Sequence, residues 1–169
     1  MGYTHHWEIN SKEENKEIDE KNYQKAIKDC NKVIKAYYKE HKGTDNSLSG
    51  YSAHCPIGQY GGIGFNGKGD NSYETFYFRH TLIGNNQFNF CKTNQKPYNI
   101  VVVACLSIMK FYLKDCIEVT SDGDFKNWID GVNLANKVLK RKKVLIESPI
   151  KAPSKLVGLF SSFNVDTLQ

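Results

Sequence analysis

The pattern of apolar and polar residues predicts a strand, a helix and a long loop in the first half of the chain. Residues 2–9 alternate with the two-residue period of a strand, and one face of that strand carries Tyr3, His5, Trp7 and Ile9. From residue 23 to residue 38, apolar residues recur at three- and four-residue steps, which predicts an amphipathic helix that ends at Gly43. Residues 43–72 are rich in Gly, Ser and Asn, which predicts a loop with one or two short strands.

The second half of the chain changes between strand and helix patterns. Residues 74–80 and 87–93 have strand patterns separated by a Gly-Asn-Asn turn, and residues 116–120 have a third. A helix that is apolar nearly all round, and therefore buried, is predicted from Pro97 to about Leu113. A last helix is predicted from Phe125 to about Lys142, with Asp124 as its N-cap.

These elements follow the order β-α-β-β-β-α-β-α. The order predicts an α+β fold, with a largely antiparallel sheet packed on two to three helices. A chain of 169 residues suits one domain, which we assign to residues 1–143. Residues 144–169 are then a basic, Pro-containing C-terminal extension.

The net charge of +5 is concentrated near the end of the chain. Residues 1–136 are neutral, whereas residues 137–155 contain seven Lys or Arg residues and only Glu147 as an acid. One interpretation is a solvated helix end, because cations there complement the helix dipole. The other is an RNA or protein contact through Lys137–Lys155.

Cysteine usage and hydropathy indicate the compartment. The five cysteines include no CxxC motif, and no His or Cys pair has zinc-finger spacing. No signal-peptide pattern is present at the N-terminus, and the longest apolar stretch, Ile100–Met109, is too short to span a membrane. We therefore expect a cytoplasmic protein with reduced thiols, no membrane association, no metal site and no cofactor.

A glycine-rich run contains the spacing Gly62-x-Gly64-x-x-Gly67, which matches a dinucleotide-binding pattern. A Rossmann site requires a helix after the third glycine, but a strand pattern follows here. The favoured interpretation is tight turns in a hairpin loop. The alternative is a flexible loop whose backbone N–H groups, with Lys68, wrap an anionic ligand.

Cys91 is a candidate nucleophile because Lys92 and Lys96 would favour its thiolate. If Phe88 and Phe90 face the core, Cys91 points away from it, and His5 or His6 is the candidate base. The competing interpretation is that Cys91 is a packing residue. Glu74 is a second candidate general base.

Six motifs lie at residues 1–7, 65–67, 74–76, 90–93, 96–98 and 121–128. Together they resemble a family of uncharacterised small proteins that is associated with phages, bacteria, fungi and large DNA viruses. The resemblance covers about residues 1–140, and no activity is established for the family. Its members commonly have Tyr where this chain has His6, and Asp where it has Asn99. If the source is viral, the resemblance implies the host cytoplasm as the location. The motifs that carry the resemblance are Met-Gly-Tyr-Thr-His-His-Trp at residues 1–7, Phe65-Asn66-Gly67, Glu74-Thr75-Phe76, Phe90-Cys91-Lys92-Thr93, Lys96-Pro97-Tyr98 and Ser121-Asp122-Gly123-Asp124 with Trp128.

Three hypotheses for function follow from these observations. The first is a module that binds a small anionic or polar ligand, such as a nucleotide, because polar residues gather at the predicted strand ends. The second is a small hydrolase or transferase that uses Cys91 with His5, or Glu74. The third is a subunit that contacts RNA or protein through its basic flank. The predicted ligand-binding residues are Tyr3, His5, Asn66, Lys68, Glu74, Arg79, Lys92 and Asp122.

Overall fold

The computed structural model describes residues 2–9, 20–50, 62–79 and 88–140. Three helices and six strands confirm the α+β prediction. The helices are α1 (Glu20–His41), α2 (Asn99–Leu113) and α3 (Phe125–Leu139). The strands are β1 (Thr4–Ile9), β2 (Leu48–Ser49), β3 (Gly62–Gly67), β4 (Phe76–Arg79), β5 (Asn89–Lys92) and β6 (Ile117–Ser121).

The strands divide between two antiparallel three-stranded sheets. The first has the order β5-β1-β6 and the second has the order β2-β3-β4. The two strands expected on either side of the Gly-Asn-Asn turn, β4 and β5, therefore belong to different sheets, and the turn itself lies outside the described residues. The alternation predicted for β1 is confirmed, because Tyr3, His5, Trp7 and Ile9 are all buried.

Most of the glycine-rich run forms strand β3, so the hairpin-loop interpretation and the flexible-loop alternative are both wrong there. The prediction of one or two short strands within residues 43–72 is confirmed by β2 and β3. Ile63 and Phe65 lie in the core, and the backbone of β3 pairs with β4 on one side and β2 on the other. Two large apolar side chains at alternate positions supply enough buried surface to hold these glycines in a strand. The run therefore does not offer the open backbone that a phosphate-binding loop needs.

Helix α2 lies in the middle of the core, as its apolar sequence predicts. Nine successive residues, Val101–Met109, are buried, because both α1 and α3 pack against this helix. Gly131 of α3 permits close packing, since a Cβ atom there would lie 2.4 Å from Cγ1 of Val103. Asp29 of α1 is buried and accepts a hydrogen bond from the Tyr112 hydroxyl at 2.7 Å.

Helix α3 begins as predicted. The Asp124 carboxylate accepts a hydrogen bond from the backbone N–H of Asn127, and the Asn127 side chain accepts one from the backbone N–H of Asp124. This reciprocal capping box confirms Asp124 as the N-cap. The helix ends at Leu139, so most of the basic flank and all of the predicted extension lie outside the described residues. No helix in the described part of the chain is long and apolar enough to cross a membrane.

Candidate functional site

A row of three polar or reactive side chains crosses the buried face of the first sheet. His5 of the central strand is opposite Cys91 of β5 and opposite Ser121 of β6. Residues that are directly opposite in antiparallel strands project from the same face. Cys91 and His5 are fully buried, whereas Ser121, at the end of its strand, is partly exposed.

Both ring nitrogens of His5 have hydrogen-bond partners. Nε2 lies 2.7 Å from Oδ1 of Asn99, and Nδ1 lies 2.9 Å from Oγ of Ser121. An amide oxygen carries no hydrogen, so Nε2 donates and the unprotonated Nδ1 accepts from the Ser121 hydroxyl. The Thr93 hydroxyl donates a second hydrogen bond to Asn99 Oδ1 at 2.6 Å. Burial lowers the pKa of His5 to about 4, which keeps the imidazole neutral at pH 7.

Two buried polar groups next to His5 lack a hydrogen-bond partner. The rings of Tyr3 and Trp128 contact the His5 ring edge-on, with centroids at 5.1 and 5.3 Å. The Tyr3 hydroxyl and the Trp128 Nε1–H complete no hydrogen bond, although the Tyr3 hydroxyl faces Ser121. Burial raises the pKa of that hydroxyl. Such groups lose hydrogen bonds to water without replacement, so they are unusual in a folded protein.

Asp122 and Gly123 shape the exposed edge of this cluster. The Asp122 carboxylate accepts a hydrogen bond from the backbone N–H of Thr4 at 2.9 Å. The Gly123 N–H donates to Ser121 Oγ at 3.0 Å. A Cβ atom at Gly123 would lie 1.9 Å from the Tyr3 hydroxyl oxygen, so only glycine fits. The turn therefore brings backbone and side-chain donors close to Ser121.

Asn66, Glu74 and Lys92 form a second group, which joins the two sheets. The backbone N–H of Lys92 donates to the Glu74 carboxylate at 2.6 Å, and the backbone N–H of Glu74 donates to the Lys92 carbonyl at 3.2 Å. The side-chain amide of Asn66 donates to the Tyr73 carbonyl, and its oxygen accepts from the Tyr73 N–H. The side chains of Asn66 and Glu74 therefore hold backbone segments in place. Both residues were predicted to bind a ligand, and here they have a structural role.

The surroundings of Cys91 are the reverse of those expected for a reactive thiol. Phe88 and Phe90 are 62% and 57% exposed, so the premise that they face the core is wrong and Cys91 is the residue that faces inward. Burial, with a smaller contribution from the charge of Glu74, raises the pKa of the thiol to about 12. Its sulfur donates to the Glu74 carbonyl, while both His5 nitrogens bond elsewhere. This geometry favours the packing interpretation of Cys91.

The outer face of the first sheet carries an exposed aromatic cluster. The His6 ring stacks on Phe88 with centroids 5.5 Å apart, and Phe88 lies 6.4 Å from Phe90. We call these three side chains the aromatic face. Lys92 projects from the same side of β5 as Phe90, and its ammonium lies 5.5 Å from the centroid of the exposed Tyr73 ring.

The structure brings most of the predicted ligand-binding residues to one end of the first sheet, in two groups. The first group lies on the β6 side of strand β1 and consists of Tyr3, His5 and Asp122. Lys92 pairs with Thr4 on the other side and links to Glu74 and, through Tyr73, to Asn66. Lys68 is exposed just beyond β3. Arg79 ends β4, at the opposite end of the β3–β4 pair from Asn66.

Sequence reasoning missed Ser121 and Asn99 as partners of His5, and its premise placed Phe88 and Phe90 inside the protein. The strand pattern of residues 87–93 shows that Phe88 and Phe90 share a face, but both of its faces carry apolar residues. The sequence signal that could assign the two faces of the sheet is the alternation in β1, because it places His5 and Trp7 inside and His6 outside.

Comparison with known proteins adds no relative. No family model, no curated protein and no solved structure matches this chain. The resemblance of its motifs to a family of uncharacterised proteins therefore stays a prediction. Within the described residues, no group of three or more His, Cys, Asp or Glu side chains is arranged to hold a metal ion.

Proposed function

We propose that this protein binds a small anionic ligand with a flat ring, of the nucleotide class, on the aromatic face. The observation that supports the proposal most is the exposure of Phe88 and Phe90 at 62% and 57% while the His6 ring stacks on Phe88. Large apolar rings grouped on a surface are a common sign of a binding site. Bases stack well on such rings.

The charges around the aromatic face favour a ligand of limited size. Lys92 lies at one end of the outer face, opposite Thr4, where its ammonium would attract a phosphate. Glu8 and Glu118 are paired across β1 and β6 at the other end, and both are exposed. Their negative charge opposes a long phosphate backbone that runs across the sheet. A mononucleotide, with its base on Phe90 and its phosphate towards Lys92, fits both ends.

The test is a titration of the protein with nucleoside monophosphates and the matching nucleosides, followed by NMR chemical shifts and calorimetry. We expect Phe90→Ala to weaken nucleotide binding about 5- to 150-fold, because a stacked base contributes about 1–3 kcal/mol. Lys92→Met keeps the aliphatic stem that lies over Gly2 and is expected to abolish the preference for nucleotide over nucleoside.

Phe125→Ala is the matched control, since Phe125 is an exposed phenylalanine on α3. We expect this variant to bind as the unaltered protein does. Equal binding by Phe90→Ala, or no binding of any nucleotide, contradicts the proposal. The aromatic face could instead be covered by a second copy of the chain, and sedimentation over a range of concentrations tests this. A dimer that is lost in Phe90→Ala would show that a second copy occupies the face.

A further inference from the structure

We propose that Ser121, His5 and Asn99 form a nucleophile–base–orienting triad that hydrolyses carboxylic esters. The Ser121 hydroxyl lies 2.9 Å from His5 Nδ1, and His5 Nε2 lies 2.7 Å from Asn99 Oδ1. A nucleophile in hydrogen-bond contact with a base, which is itself held by a third polar group, is the arrangement that activates a serine. This site lies on the inner side of the sheet and is independent of the aromatic face.

The tautomer of His5 is the one that a general base requires. Asn99 Oδ1 accepts hydrogen bonds from both Thr93 and His5 Nε2, which fixes the imidazole hydrogen on Nε2. The lone pair of Nδ1 therefore faces the Ser121 hydroxyl. Because His5 is fully buried and its ring contacts Tyr3 and Trp128, it is held in this orientation.

Access and stabilising donors are present on the Ser121 side. Ser121 ends β6 and is partly exposed, so the proposed substrate carbonyl approaches the hydroxyl from the end of the strand. The Gly123 N–H is already 3.0 Å from Ser121 Oγ, and the Tyr3 hydroxyl faces the same residue without a completed hydrogen bond. Donors placed in this way would stabilise the oxyanion that forms during acyl transfer.

The reaction needs no group beyond these residues and water. Ser121 Oγ attacks the ester carbonyl carbon while its proton passes to His5 Nδ1, and the carbonyl oxygen becomes the oxyanion. When the oxyanion collapses, the bond to the alcohol breaks and the alcohol takes the proton from His5. Water then gives a proton to His5 Nδ1 and attacks the acyl carbon. The carboxylic acid leaves, and the proton returns to Ser121 Oγ.

The charges at the edge of the site select the kind of ester. The negative charges of Asp122 and Asp124 both act on the Tyr3 hydroxyl. Burial, and to a smaller extent these two charges, raise the pKa of that hydroxyl. Both carboxylates belong to exposed residues of the turn after Ser121. Their negative field disfavours an anionic acyl group, so the expected substrates are neutral or cationic esters.

The experiment treats the native protein with a neutral fluorophosphonate, which phosphonylates activated serines, and maps the modified residue by mass spectrometry. Hydrolysis of p-nitrophenyl acetate is measured in parallel. We expect the adduct on Ser121, and no adduct on the same peptide of Ser121→Ala. Thr120→Ala is the control, because it removes a neighbouring hydroxyl that lies on the outer face, and its labelling at Ser121 should be unchanged. Native mapping needs no variant, so the result does not depend on whether Ser121→Ala folds.

Asn99→Asp separates a triad from a merely structural network. A carboxylate in place of the amide stabilises the imidazolium that forms during the reaction, and the converse change in a serine protease lowers kcat by about 10⁴-fold. We expect at least about a 10-fold faster rate of both labelling and hydrolysis in Asn99→Asp. If neither the unaltered protein nor Asn99→Asp is labelled at Ser121, or if Ser121→Ala hydrolyses the ester as fast as the unaltered protein, the proposal is wrong.

Discussion

The substitution Asn99→Asp should reduce the acid sensitivity that His5 gives to this fold. His5 is fully buried, and its pKa falls from 6.5 to about 4, chiefly through burial. Between these two pH values the unfolded chain binds a proton that the folded chain excludes. The stabilisation that depends on neutral His5 is therefore complete above about pH 6.5 and is lost as the pH falls towards 4.

The magnitude follows from the two pKa values. At roughly 1.4 kcal/mol per pH unit, lowering the pH from 7 to 4.5 costs about 2.5 kcal/mol of unfolding free energy through His5 alone. A carboxylate at position 99 would lie 2.7 Å from Nε2, and an opposite charge at that range raises a histidine pKa by about 1–3 pH units. The loss in Asn99→Asp should then be at most about 1.7 kcal/mol, and about 0.6 kcal/mol if the pKa rises by about 2 pH units.

The assay is urea denaturation at pH 7.0 and pH 4.5, followed by the fluorescence of the two buried tryptophans, Trp7 and Trp128. NMR titration of the imidazole protons measures the His5 pKa directly. His6→Gln is the control, because the His6 side chain is on the outer face of the same strand. It should change the pH dependence only slightly, since the charge of His6 is the smallest of the effects on the His5 pKa. A His5 pKa near 6.5, or the same loss of stability in Asn99→Asp as in the unaltered protein, refutes the reasoning.

Three further predictions concern the packing and the thiols. Gly131→Ala should destabilise the protein by about 1–3 kcal/mol in urea denaturation, because the new methyl group meets Val103 and the Ile100 carbonyl oxygen; an unchanged midpoint would contradict the assigned contact. Asp124→Ala should cost about 0.5–2 kcal/mol in the same assay through loss of the N-cap, and an unchanged midpoint would contradict it. Iodoacetamide at pH 8 should modify the partly exposed Cys116 in the native protein but reach Cys91 only after unfolding; native labelling of Cys91 would show that its thiol is accessible.

The local pattern of the sequence determined the helices and the inward face of the first strand. Helix α2 is apolar nearly all round, so it had to be surrounded, and in the structure both α1 and α3 pack against it. Asp124 is followed by a helical stripe and caps α3, because a cap depends only on residues within one turn. In the same way, alternation in β1 was sufficient to place His5 and Trp7 inside.

The tertiary structure alone decided what surrounds those side chains. Alternation in β5 shows that Phe88 and Phe90 share a face, but the pairing with β1 determines that this face is the outer one, because Cys91 lies opposite the buried His5. The glycines of β3 looked like a loop until their pairing with β2 and β4 was known. The partners of His5 are 94 and 116 residues away in the chain. A periodic pattern reports only on near neighbours, so contacts over such separations depend on how the sheets and helices pack.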